Sequence, residues 1–118
     1  MINLLQETKR ILKDYGHTLS DIVWVGCKNY RIEIKQFIEL ANVIYDDGYG
    51  GEEVATDLIV VGTDWWLERH EYDGAEWWEY KTLPQMPQEV KSVNRVVTKG
   101  WLSGILTEIN EEVFNNDK

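Results

Sequence analysis

The sequence predicts an α+β fold: an antiparallel hairpin or meander sheet with N-terminal, middle and C-terminal helices packed on one face. Three observations predict it. The apolar period alternates between about 3.6 and 2 along the chain. Asp73-Gly74 stands between two aromatic, β-forming runs. Leu58-Ile59-Val60-Val61 is a short, wholly apolar run of the kind found in central strands. A chain of 118 residues with 43% hydrophobic content is long enough for a core and is expected to form a single domain over residues 1–118.

Residues 2–15 read as a helix, because Leu4, Leu5, Thr8, Ile11 and Leu12 recur on one face. Gly16 stands where a helix C-cap needs left-handed backbone. The β-branched run Ile22-Val23-Trp24-Val25 follows, and Lys28-Asn29 is a turn into the alternating Tyr30, Ile32 and Ile34. From Ile34 the period returns to about 3.6. The stripe of Phe37, Ile38, Ala41, Ile44 and Tyr45 predicts a second helix over 35–45. Asp46 to Gly51 is a glycine-rich acidic loop, and residues 52–56 are expected to add a helical turn with Glu52 and Glu53 at its start. Leu58-Val61 is read as a strand buried on both faces. Residues 65–72 and 75–81 form the Asp73-Gly74 hairpin. Pro84-Gln85-Met86-Pro87 is a connector, residues 90–97 fit strand or helix, and Trp101, Leu102, Ile105, Leu106, Ile109 and Val113 predict a final amphipathic helix.

The charge narrows the function classes. Formal net charge is −9, but residues 39–80 carry twelve acids against the single base Arg69, a local −11. Such asymmetry argues against direct contact with a nucleic-acid backbone and for a basic partner. No apolar run spans a bilayer and no basic-then-apolar leader opens the chain, so a cytoplasmic protein without membrane contact is expected. Cys27 is the lone cysteine and reads as a buried, inert thiol. The acidic glycine loop lacks the Lys-Ser/Thr of a phosphate loop and the alternating ligands of a calcium loop.

A two-residue turn at Asp73-Gly74 fixes the hairpin register, with Tyr72 opposite Ala75 and Trp65 opposite Thr82. One face then carries Trp65, Leu67, Trp78 and Tyr80 as core, with Arg69, Glu71 and Glu76 towards an exposed tip. Arg69 lies opposite Trp78, within reach of a cation–π contact. The other face carries Trp66, Glu68, His70, Tyr72, Trp77 and Glu79. Glu68 opposite Glu79 is destabilising unless a cation intervenes. The candidate binding surface is therefore Trp66, Glu68, His70, Glu71, Tyr72, Asp73, Glu76, Trp77 and Glu79, with Asp46, Asp47, Glu52 and Glu53 from the loop. A terminal helix lying over the second tryptophan face, or a homodimer hiding one of these faces, is equally compatible with the pattern.

Further readings belong to other classes. Aromatic rings with Arg69, Lys81 and Arg95 would sequester a nucleotide-type ligand. Glu68, His70 and Glu79 would serve as a metal or acid–base set, although one histidine and no identifiable fourth ligand make a poor metal site. No cofactor is called for, and no catalytic residue stands out.

The stretches Tyr45-Asp46-Asp47-Gly48-Tyr49-Gly50, Glu53-Val54-Ala55, Leu58-Ile59-Val60-Val61-Gly62, Asp64 to Gly74 and Glu76-Trp77-Trp78-Glu79-Tyr80 resemble a family of small acidic proteins encoded by phages and prophages of Gram-positive bacteria. The resemblance covers about half the chain and reaches more weakly to Trp24-Val25-Gly26; the tail after Pro84 has no counterpart in it. It implies an accessory protein of the bacterial cytoplasm and brings no catalytic residues. By genomic class it implies an inhibitor of a host nucleic-acid-binding or defence protein, the anti-CRISPR type being one form.

Overall fold

The computed structural model describes residues 1–48, 50–98 and 103–111. The chain divides into two compact units, Met1–Pro84 and Gln85–Lys118. In the first, β1 (Ile2–Asn3) leads into α1 (Leu4–Asp14), then β2 (Trp24–Gly26), β3 (Arg31–Ile32), α2 (Ile34–Ala41), β4 (Ile44–Tyr45), β5 (Ile59–Val61), β6 (Trp65–Tyr72) and β7 (Ala75–Thr82). Five strands form an antiparallel sheet in the order β3-β2-β5-β6-β7, and β1 pairs with β4 separately. The α+β class and the hairpin meander are as expected.

Each helix boundary has a local cause. The Asn3 side chain accepts the Gln6 N–H at 3.0 Å, so α1 begins at Leu4 rather than Ile2, and Ile2-Asn3 pair instead with Tyr45-Ile44. At its other end Gly16 takes φ +82°, and His17 N–H reaches back to Leu12 O at 2.8 Å. The second helix stops at Ala41, short of the expected Tyr45. Asn42 adopts φ −76°, ψ 68°, and Val43 N–H donates to Ala41 O at 2.8 Å. That is an inverse γ-turn, which redirects Ile44 and Tyr45 into β4. Tyr45 is thereby buried and Ile44 left exposed. Residues 52–56 form no helical turn, because the Glu53 and Val54 amides donate to the Glu76 carboxylate.

The core lies between α1, α2 and one face of the sheet. Leu12, Val25, Val60, Leu67 and Trp65 are almost completely buried there. The turn at Lys28-Asn29 closes as expected, with Cys27 N–H on Tyr30 O at 2.9 Å. Cys27 itself is only half-buried, which corrects the expectation of a buried thiol. β5 is the central strand, yet only Val60 is fully buried, while Ile59 and Val61 on the outer face are half-buried. Burial on both faces is therefore not found. The β6–β7 hairpin has the predicted register at every position from Tyr72–Ala75 to Trp65–Thr82. Asp73 and Gly74 take φ 51° and 88°, as a tight primed turn requires.

In the second unit, residues 90–97 form neither strand nor helix, and Val90, Val96 and Val97 are exposed. Without burial, the apolar pattern there has nothing to enforce a period. The expected terminal helix is represented by α3 (Leu106–Ile109), with Ile109 buried and Ile105 and Leu106 exposed. Trp101, Leu102 and Val113 of that expectation lie outside the described residues, as does Tyr49 in the glycine loop. Among the described residues no helix is long and apolar enough to cross a membrane.

Candidate functional site: a tryptophan face and an acidic rim

Strand alternation sends Trp66, Glu68, His70, Trp77, Glu79 and Lys81 to the outer face of the sheet, all half-buried, with Tyr72 76% exposed beyond them. The Glu68–Glu79 opposition is relieved within this face. His70 Nε2 lies 2.7 Å from Glu68 Oε2, and its Nδ1 lies 3.5 Å from Glu79 Oε2. Each glutamate also takes an indole N–H from the tryptophan two residues before it, Trp66 to Glu68 at 2.7 Å and Trp77 to Glu79 at 3.2 Å. Lys81 completes the set, 3.2 Å from Glu79 Oε1. The Trp66 indole, then His70, holds the Glu68 carboxyl below its usual range. Lys81 does the same for Glu79, with burial opposing it and Trp77 adding to it. These carboxylates are ionised and already engaged, so they order the tryptophans more than they offer free charge.

The inner face holds a cluster that sequence parity placed correctly but read as an exposed tip. Arg69 and Glu76 are buried. Arg69 Nη2 lies 2.9 Å from Glu76 Oε1 and 3.0 Å from Tyr45 Oη, while Nη1 lies 3.3 Å from Glu7 Oε2. The Tyr45 hydroxyl donates to Glu7 Oε1. The guanidinium also sits 4.7 Å from the Trp78 ring centre, making the expected cation–π contact. Burial pulls against the charge on Arg69, but Tyr45, Glu76 and Glu7 outweigh it and keep the guanidinium ionised. Burial, then the Glu7 hydrogen bond, pushes the Tyr45 phenol well above its ordinary value. Glu76 is thus removed from the candidate surface: its carboxylate is consumed by Arg69 and by the amides of Glu53 and Val54, at 2.7 and 3.2 Å. Glu7 and Tyr45 were not singled out from the sequence, because their meeting with Arg69 depends on long-range packing.

The same contacts assemble an acidic rim. Glu76 N–H donates to Asp47 O at 2.8 Å, and a methyl group placed on Gly74 would lie 3.7 Å from Gly48 O and Gly50 N. The hairpin tip therefore rests on the glycine loop. Glu71 and Asp73 from the tip, with Asp46, Asp47, Glu52 and Glu53 from the loop side, share one end of the sheet. Glu52, Glu53, Glu71 and Asp73 are exposed and Asp46 and Asp47 half-buried. The Met1 ammonium lies 3.8 Å from Asp47.

Other chemistry finds less support. Among the described residues no group of three or more His, Cys, Asp or Glu is arranged to hold a metal ion. Glu68 and Glu79 each contact His70 instead. Of the cations suggested for a nucleotide, Arg69 and Lys81 do not gather: Arg69 is in the core, and Lys81 is on the opposite face and bonded to Glu79. An apolar groove of about 410 Å³ is lined by Leu4, Phe37, Leu40, Ile44, Val54 and their neighbours, Tyr45 and Glu53 among them. No family model, curated protein or solved structure matches the chain, and its own side-chain geometry carries the functional reading.

Proposed function

We propose that the chain is a binding protein whose acidic rim and adjoining aromatic face occupy a basic, nucleic-acid-holding site on a protein partner. The supporting observation is the docking of the hairpin tip on the glycine loop. It brings two sequence-distant acidic segments to one end of the sheet beside the exposed Tyr72. Asp46, Asp47, Glu52, Glu53, Glu71 and Asp73 stand in for phosphates, and Tyr72, with Trp77 and Trp66 behind it, for stacked bases. Inhibition of a host defence protein of the anti-CRISPR type is the concrete form that the phage-family resemblance favours.

The test is affinity capture on the immobilised chain from a bacterial extract, followed by challenge with salt and with an oligonucleotide. Captured protein should be released by moderate salt and by competing DNA or RNA, since exposed charge pairs are screened over about 10 Å at 0.1 M. Glu71→Lys combined with Asp73→Lys should cut capture at least about tenfold. Capture indifferent to salt, to oligonucleotide and to that double change would overturn the reading.

A further inference from the structure

β7 forms one edge of the five-stranded sheet, and its backbone shows which part of that edge is covered. Residues along an antiparallel strand alternate in bonding direction. Trp65 turns toward the β5 side, where its carbonyl accepts the Gly62 N–H at 2.8 Å. Trp66, Glu68, His70 and Tyr72 therefore turn toward β7, and their partners Lys81, Glu79, Trp77 and Ala75 turn back toward β6. Glu76, Trp78, Tyr80 and Thr82 are left facing outward. The first two N–H groups are capped, Glu76 by Asp47 O at 2.8 Å and Trp78 by Glu7 Oε2 at 3.3 Å. Among the described residues nothing accepts the outward N–H of Tyr80 or Thr82. A row of unpaired backbone groups at a sheet edge is a template for another strand.

We infer that the 78–82 edge pairs antiparallel with the same segment of a second copy, about a twofold axis at Tyr80, joining the two sheets into one. Charge complementarity selects both occupant and register. With Tyr80 opposite the partner's Tyr80, Glu79 falls opposite the partner's Lys81 and Lys81 opposite the partner's Glu79, all on the outer face. Moving the axis to Glu79 would oppose two glutamates, and moving it to Lys81 would oppose two lysines. Glu79 and Lys81 are already 3.2 Å apart within one copy, so the charges alternate in sign across the junction. Tyr80 exchanges N–H···O bonds with the partner's Tyr80, and each Thr82 N–H meets a Trp78 carbonyl, while Trp78 N–H stays with Glu7. One step further, Pro84 has no N–H to give and faces the partner's Glu76, whose N–H is already spent.

The inference is independent of the acidic-rim reading and is tested with the full chain alone, by sedimentation over a concentration series. The wild type should be a dimer that dissociates on dilution. Lys81→Glu and Glu79→Lys should each raise the dimer dissociation constant about tenfold or more, by putting like charges across both halves of the junction. The charge-exchanged double variant Glu79→Lys/Lys81→Glu should recover dimerisation, and mixing the two single variants should yield a heterodimer. Far-ultraviolet circular dichroism confirms that each variant is folded. A wild type monomeric at every soluble concentration overturns the inference. So does a dimer that both single variants leave unchanged, or one that the exchange fails to restore.

Discussion

Arg69 occupies a site where a charge is tolerated only because every neighbour was chosen for it. Two carboxylates, a phenol and an indole face surround the guanidinium. Removing one member of a buried ionic set strands the others, which typically costs about 3–5 kcal/mol. Glu76→Ala should therefore destabilise the protein by about that amount in urea unfolding. It should also speed amide exchange at Glu53 and Val54, whose N–H groups lose their acceptor. Full stability with unchanged exchange would show that the cluster is not holding the loop. Glu68 makes a different, pH-dependent contribution. Its folded-state pKa lies below the unfolded value near 4.5, because the Trp66 indole and His70 stabilise the carboxylate. The resulting stability is present above that unfolded value and is lost as pH falls through the lower folded one. Thermal unfolding of Glu68→Gln should accordingly lose less stability than wild type as pH falls below about 4.5, and parallel curves would refute the assignment.

Among the elements, the hairpin carries the most sequence information. Asp73-Gly74 set the turn, the turn set the register, and parity then assigned every side chain to a face. That much was legible because the interactions are local. What packs on each face was not: the Arg69–Glu7–Tyr45 meeting joins three separate segments, so Arg69 and Glu76 looked like tip charges. The γ-turn at Asn42 was hidden for a similar reason, since Ile44 and Tyr45 continue the helical stripe and only pairing with β1 reveals them as strand. Position 62 is also informative. A Cβ there would lie 2.0 Å from the buried Trp65 ring. Gly62→Ala should therefore cost at least about 1–3 kcal/mol by forcing that ring or the β5–β6 connection to shift. Near-neutral denaturation, with Trp65 fluorescence unchanged, would contradict so tight a contact.

For the whole molecule, the buried apolar cluster from Leu4 to Trp78 is contained within Met1–Pro84. A fragment ending at Pro84 should unfold cooperatively and keep the near-ultraviolet signature of its packed aromatics, including Tyr15 stacked on Tyr80 at 3.9 Å. A molten spectrum from that fragment would mean its core is incomplete. The bulk charge of −9 also resolves into parts with different roles. Glu7 and Glu76 are internal counter-ions, Glu68 and Glu79 order indoles, and the rim acids remain for solvent or a partner.

The opposite border of the sheet, β3, is only Arg31–Ile32 and has little backbone to offer a further strand. A molecule with two long, compatible borders would add copies without end and make a fibre. In the pairing inferred for β7, one border is long enough to join and the other too short to continue, so a twofold pair would use up the capacity for growth. Brevity at β3 would then work as a terminator, stopping an aromatic, strand-rich protein at the pair where two long borders would give an endless sheet.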